Sequence, residues 1–393
     1  MQYTHSSDSF MDPAKTTCIE DLRRLAEKRV PRMFYQYADS GSWTESTYRA
    51  NEADFQHILF RQRVAVDMSV RNLATTMLGE AVSMPVALAP TGFTGMQHAD
   101  GEMHAAMAAK KAGVPFTLST MSICSIEDIA RHTGVPFWFQ LYVRKDREFA
   151  RKLIDRAKVA GCSALVVTLD LQVLGQRHND VRNGLSAPPR LTLRNIANMM
   201  TKPRWCLGML GTKRHGFGNV MGHAAGVRTL RDASDWVSSQ HDPSFNWDDI
   251  AWIRERWGGK LILKGILDAE DALLAVKAGA DAIVVSNHGG RQLDGAPSTI
   301  SMLPKIAAAV GDAVEVHLDG GIRSGQDVLR AIALGAKGTY IGRAFLYGLG
   351  AGGEAGVTRA LEIIRKELEV TMGLCGRTDI RDVDRRILAE NPF

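Results

Sequence analysis

No run of apolar residues in this 393-residue chain approaches the ~18 needed to span a bilayer, so a helical membrane-crossing protein is excluded. Cysteine is scarce. Its five copies (Cys18, Cys124, Cys162, Cys206, Cys375) stand far apart and form no CxxC, so neither a metal site nor a disulfide framework is expected. A reducing, cytoplasmic compartment is the default reading. Residues 1–15 are polar and hold no apolar block, so no signal peptide is expected. Also missing are a GxGxxG after the first apolar run and a GxxxxGK[ST] anywhere, the usual nucleotide signals of an open doubly wound sheet. What remains is ordinary globular chemistry, 45% hydrophobic and 23% charged, which rules out disordered and collagenous classes.

The net charge of +5 is unevenly placed. Between Val181 and Arg231 lie nine basic residues and no acidic one, leaving 39 Lys and Arg against 43 Asp and Glu elsewhere. The same segment carries Leu191, Leu193, Ile196, Met199, Met200, Trp205, Leu207, Met209 and Leu210. Basic residues interleaved with apolar and Trp side chains suit an anionic membrane surface. A long loop packed on the body is an equally simple reading. Nucleic acid is a third, but no nucleic-acid-binding motif accompanies the charge.

Thr17-Cys18-Ile19-Glu20 reads as a capping box opening a helix that stops ahead of Pro31. Eight short apolar runs follow, at 85–90, 116–120, 137–142, 164–170, 260–265, 282–287, 314–320 and 338–342. They are apolar on successive residues, as parallel strands covered on both faces should be. Helical stretches separate them at 101–113, 125–133, 146–161, 247–257, 269–279 and 324–335, several ending in glycine. Eight such units predict an α/β protein, a (β/α)8 TIM barrel with an N-terminal helical extension. The basic segment becomes a long insertion, about 181–231, after strand 4. Residues 17–384 form one domain in this reading, flanked by tails at 1–16 and 385–393.

Reactions in such barrels occur at the C-terminal ends of the strands. Those ends carry Pro90-Thr91-Gly92, Ser119, Gln140 and Tyr142, Thr168 and Asp170, and Lys264. Ser286-Asn287-His288-Gly289-Gly290-Arg291, Asp319-Gly320-Gly321-Ile322-Arg323 and Gly342-Arg343 complete the set. Glycine–arginine groups after strands 7 and 8 suit a phosphate, because glycine admits backbone N–H groups and arginine supplies paired donors. His288 can exchange a proton near neutral pH. Arg291 can clamp a carboxylate, Lys264 can neutralise charge on an aromatic cofactor, and Asp170 can hold an imidazolium.

The run Ser286 to Asp294 (SNHGGRQLD) closely resembles the signature of FMN-dependent L-2-hydroxy acid oxidases and dehydrogenases, the family of glycolate oxidase, flavocytochrome b2 and (S)-mandelate dehydrogenase. The resemblance extends from about Ile19 to Leu374. It implies FMN as the cofactor, with Pro90, Thr91 and Gly92 along the ring and Ser119, Gln140 and Thr168 hydrogen-bonded to it. Lys264 would sit at the N1/C2 carbonyl side, Ser286 and Asp319 at the ribityl chain. Gly320, Gly321, Arg323, Gly342 and Arg343 would surround the phosphate. His288 would be the base with Asp170 as its partner, and Arg291 with Tyr37 the carboxylate clamp. Tyr142 would bond the substrate oxygen, Arg177 would be a second, mobile arginine, and Met121 would touch the substrate side chain. Without the resemblance, Tyr37 reads as ordinary packing.

Within the family, the runs at 116–128 (FTLSTMSICSIED), 177–180 (RHND) and 242–247 (DPSFNW) most resemble the bacterial membrane-associated L-lactate dehydrogenases. That likeness implies oxidation of an L-2-hydroxy acid, L-lactate first, with membrane quinone as the electron acceptor. It also implies peripheral placement on the inner face of the cytoplasmic membrane through the insertion, and a homotetramer. Gly92 and Met121 stand where glycolate oxidase-like members carry Ala and Trp. Oxygen as acceptor, and a mandelate-type side chain, therefore stay open. A flavin-free phosphosugar isomerase on the same barrel is the alternative from another class.

Overall fold

The computed structural model describes residues 12–185 and 192–389. Part of each expected tail (1–11 and 390–393), and residues 186–191 of the insertion, lie outside the described residues. A two-stranded hairpin, β1 (Thr75–Met77) and β2 (Glu80–Val82), precedes eight parallel strands. These are β3 (Val86–Leu88), β4 (Thr117–Ser119), β5 (Trp138–Leu141), β6 (Ala164–Thr168), β7 (Lys260–Ile266), β8 (Ala282–Val285), β9 (Glu315–Leu318) and β10 (Gly338–Ile341). The sheet runs β3-β10-β9-β8-β7-β6-β5-β4, and a Leu88–Phe116 bridge joins its two ends into a ring. Seven of the eight barrel strands fall inside an apolar run predicted from sequence, β7 passes its run by one residue, the hairpin was not predicted, and helices fill the spacers.

Side chains alternate between the two faces of each strand. Leu118, Phe139, Leu165, Val167, Leu261, Leu263, Ile283, Val285, Leu318 and Ile341 pack outward in one continuous core with the helices. Ala87, Trp138, Ala164, Val166, Ile262, Ala282, Val284 and Tyr340 point inward and fill the barrel's lower half. The hairpin closes the bottom. Its turn places Leu78 and Gly79 at φ +53° and +78°, the twist a two-residue hairpin loop needs. Leu78 donates its N–H to Glu315 at 2.8 Å, and Met77, Leu78 and Val82 join the inner cluster.

The N-terminal helix spans Ile19–Arg29, but the capping box does not form. Cys18 is the N-cap and makes no side-chain capping bond, whereas Thr17 donates both its amide and its hydroxyl to Asp21 at 2.9 Å. Asp21, one residue beyond the expected Glu20, can reach back to Thr17 outside the helix and so outcompetes it. Ile19, Leu22, Leu25 and Ala26 are buried; Ala26 meets the long helix Arg343–Leu374 where Gly350 leaves room. The next helix, Arg32–Ala38, carries Tyr37 over the barrel mouth.

The insertion contains helices Leu193–Met200 and Pro203–Gly211. Trp205 turns inward, stacking on Phe34 at 5.5 Å and donating Nε1–H to Met96 O. It is therefore not a surface anchor, contrary to its place in the sequence argument. Leu193, Met200, Leu207 and Leu210 remain at least 70% exposed. No helix among the described residues is long and apolar enough to cross a membrane.

Trp138 is fully buried in the inner cluster. Trp138→Ala is expected to cost about 3–5 kcal/mol through the cavity it leaves. Urea unfolding checks this, with exposed Val159→Ala as a control expected to shift by under ~0.5 kcal/mol.

Candidate active site

The inward lines that fill the barrel with alanine, valine and tryptophan turn polar as they reach the top. Trp138 leads to Gln140 and Tyr142, Val166 to Thr168 and Asp170, Ile262 to Lys264, and Val284 to Ser286 and His288. Above them lies a cavity of about 1010 Å³, at the upper end of the ~300–1,000 Å³ usual for small-molecule and cofactor sites. Its wall includes Tyr37, Pro90, Thr91, Gly92, Met121, Tyr142, Thr168, Arg177, Lys264, His288 and Arg291. Asp319, Gly320, Gly321, Arg323, Gly342 and Arg343 line it as well. Ser119, Gln140, Ser286 and Asp170 stand one layer behind as partners of wall residues.

His288 sits at φ +57°, followed by Gly289 and Gly290 at +66° and +72°. A bulky residue in the left-handed region is strained, and such strain collects at functional sites. Gly290 is required because a Cβ there would lie 2.5 Å from the Tyr48 amide nitrogen. The turn aims the imidazole so that Nδ1 donates to Asp170 Oδ1 at 2.9 Å, leaving Nε2 as the acceptor of a neutral ring. Burial pushes the His288 pKa below its usual value despite Asp170. Burial acts to raise Asp170, but His288 and Lys264 outweigh it and hold the carboxyl below its usual range. The resting pair is thus a neutral imidazole on a carboxylate.

Lys264 meets Asp319 at 2.8 Å and donates to Ser286 at 2.7 Å. Burial disfavours its ammonium, yet Asp319 and Asp170 more than compensate and raise its pKa. Arg291 donates Nη1–H to the carbonyls of Tyr37 and Ser40 and lies 4.6 Å over the Tyr37 ring. Its Nη2 has no hydrogen-bond partner among the described residues, which leaves a donor edge for a carboxylate. Arg177 donates to Arg291 O at 3.2 Å. Tyr142 is pushed up to about 12, first by burial and then by Asp170, so its hydroxyl stays protonated and can donate.

The residues fit FMN. At one end, Gly320 and Gly321 hold φ +90° and +88°, and a Cβ on Gly321 would run into the Asn51 carbonyl. The helix Arg343–Leu374 opens there with no side-chain cap, a ready anion site. Arg323 pairs with Glu52 at 2.6 Å. Arg343 spends three donors on the carbonyls of Ala38, Gly289 and Ser40. Its remaining N–H groups are the ones free to meet an oxyanion. At the ring end, Ser119, Gln140 and Thr168 form a chain of 3.0 Å hydrogen bonds. Asp319 Oδ1 has no partner among the described residues.

Sequence reasoning missed four groups here. Asp180 stands 3.8 Å from Arg291, its carboxyl raised by burial. Asn51 exchanges two 2.8 Å hydrogen bonds with Asn287 and so fixes the turn before His288. Arg144 and His241 also line the cavity. Arg144 alone had a signal, since it continues the inward line of Gln140 and Tyr142.

A profile of the family described as FMN-dependent dehydrogenase matches residues 26–390. The L-lactate dehydrogenase of Caulobacter vibrioides (strain NA1000 / CB15N) is 47% identical over 375 residues, 94% of this chain and 97% of that one. The L-lactate dehydrogenase of Ectopseudomonas mendocina (strain ymp) is 47% identical over 372 residues, 94% of this chain and 98% of its own. Among solved structures, the monotopic membrane protein (S)-mandelate dehydrogenase superposes with a TM-score of 0.91 at 38% identity, covering 96% of this chain and 100% of that one. Mandelate oxidase gives 0.80 at 35% identity, over 95% and 98%. With a matching profile over most of its length and relatives this similar across it, the chain belongs to the FMN-dependent dehydrogenases.

Proposed function

We propose that this enzyme oxidises an L-2-hydroxy acid to the 2-oxo acid, with L-lactate among its substrates and His288 as the base. The observation that carries this is the neutral His288 on Asp170, at 2.9 Å, facing the same cavity as the open edge of Arg291. Bound FMN supplies a two-electron acceptor beside the substrate. Arg291 and Tyr37 hold the carboxylate, which fixes the orientation of the α-carbon. Tyr142 donates its hydroxyl proton to the substrate oxygen. His288 Nε2 takes up the substrate proton, and Asp170 stabilises the imidazolium that results. Asp319 keeps Lys264 protonated beside the cofactor site. Membership of this family removes the flavin-free isomerase alternative.

The test is spectroscopic: the purified protein should be yellow and bleach anaerobically with L-lactate. In His288→Ala, bleaching should slow by at least ~10²-fold, the lower range for general acid–base catalysis, with FMN still bound. Bleaching at the wild-type rate would remove His288 from the mechanism.

The pH profile follows from the same pair. A base works when unprotonated, and burial lowers the His288 pKa. The acid limb of kcat/KM should therefore fall below the ordinary histidine value of about 6.5, with rate gained as pH rises through it. A limb clearly above that value contradicts the assignment.

For the electron acceptor we propose membrane quinone, reached from an anionic membrane surface on which the insertion lies. Support comes from Leu193, Met200, Leu207 and Leu210, exposed within the basic segment. The similarity to a monotopic membrane protein points the same way. Deleting the insertion would tear out buried Phe217 and Val220, so exposed positions make the better test. Changing those four residues to Gln should reduce co-pelleting with vesicles containing anionic phospholipid and slow turnover with a quinone analogue. Faster turnover with oxygen than with the analogue would favour the oxidase reading instead.

A further inference from the structure

Gln140 on β5, then Tyr142 and Arg144 in the segment that follows it, succeed one another in sequence at the barrel's mouth. The first two belong to the cofactor and substrate sites already described. Arg144 has no role in either. It is only 3% exposed, and its guanidinium stands 5.3 Å from the centre of the Tyr142 ring, in the wall of the same cavity.

Its partners are insufficient for a buried cation. Nη1 lies 3.2 Å from His241 Nδ1. Burial, reinforced by Arg144 itself, pushes that histidine down to about 4, so it is a neutral acceptor. Nε has no hydrogen-bond partner among the described residues. The neighbouring acids are occupied: Asp242 and Asp249 bind Arg147 at 2.7 and 3.2 Å, and Asp170 binds His288. A buried charge is normally paired, because leaving it unpaired is costly. Arg144 lines the cavity that also holds Tyr142, His288 and Arg291. Arg177 lines that cavity too and adds no carboxylate to it.

We propose that Arg144 is a subsite for a second acidic group on the substrate, so that 2-hydroxy acids ending in a distal carboxylate are taken in preference to lactate. This rests on the 2-hydroxy acid reading above and extends it to the side chain. With the first carboxylate at Arg291 and the hydroxyl at Tyr142, the substrate's side chain has the line toward Arg144 to follow. The Arg144 guanidinium stands 5.3 Å from the centre of the Tyr142 ring, a separation that a side chain of two methylenes and a carboxylate can bridge. L-lactate, ending in a methyl group, leaves Arg144 unmet.

The experiment compares anaerobic single-turnover flavin reduction by L-2-hydroxyglutarate and by L-lactate in the holoenzyme, a half of the reaction that no electron acceptor enters. Wild type should favour the dicarboxylate. The ratio of the two second-order rate constants for flavin reduction should fall at least tenfold in Arg144→Met and recover in part in Arg144→Lys. In parallel, calorimetry should show 2-oxoglutarate binding the oxidised holoenzyme more tightly than pyruvate, with the difference lost in Arg144→Met. An unchanged ratio in Arg144→Met, or lactate preferred with 2-oxoglutarate no tighter than pyruvate, overturns the proposal. Should neither acid reduce wild type, the 2-hydroxy acid reading has failed, and calorimetry still decides the subsite. If Arg144→Met does not hold FMN, Arg144→Lys and the wild-type preference carry the test.

Discussion

Alternation of side chains along eight short strands, interrupted by a bulge at Gly265 in β7, is the constraint on which the molecule depends. Each inner line must fill the barrel where it is narrow and serve the cavity where it opens, and the two demands fall on residues two apart. Trp138, Gln140 and Tyr142 meet them in succession, as do Val284, Ser286 and His288. A register slip of one residue would send His288's line to the helices and bring Val285 and Asn287 to the mouth. Packing and chemistry are therefore not separable here: the apolar contacts that order the strands also aim the polar groups.

Electrostatics at the mouth follows a second rule, in which nearly every buried ion is answered nearby. Lys264 has Asp319, the Asp170 carboxylate has His288, Arg323 has Glu52, and Arg343 rests on three backbone carbonyls. Arg291 is the instructive partial case, with one edge fixed to Tyr37 and Ser40 and the other short of a partner. Groups left incomplete in this way mark where small molecules must complete the site.

Most of the barrel was legible because its strands are buried on both faces and stand between helices with clear stops. The strand-end residues were legible for the same reason, once their lines had been drawn. Other features lacked a local signal. The hairpin at 75–82 has three-residue strands and puts Leu78, not an Asn-Gly pair, at its turn. Asp180 acquires its meaning only from Arg291, far away in sequence. Trp205 was misread because composition cannot show which way a helix turns its indole; Phe34 and Met96 decide that. Thr17 failed as a cap because the N-cap falls one residue later, at Cys18, and Asp21 takes both its amide and its hydroxyl.

The hairpin plug has one more consequence. With Met77, Leu78 and Val82 seated in the lower end of the barrel, traffic is left with the upper opening alone. Substrate and product then share that one doorway, the spent acid leaving before its successor can enter. Such an enzyme is a revolving door rather than a corridor, and anything that lingers on the threshold slows both directions at once.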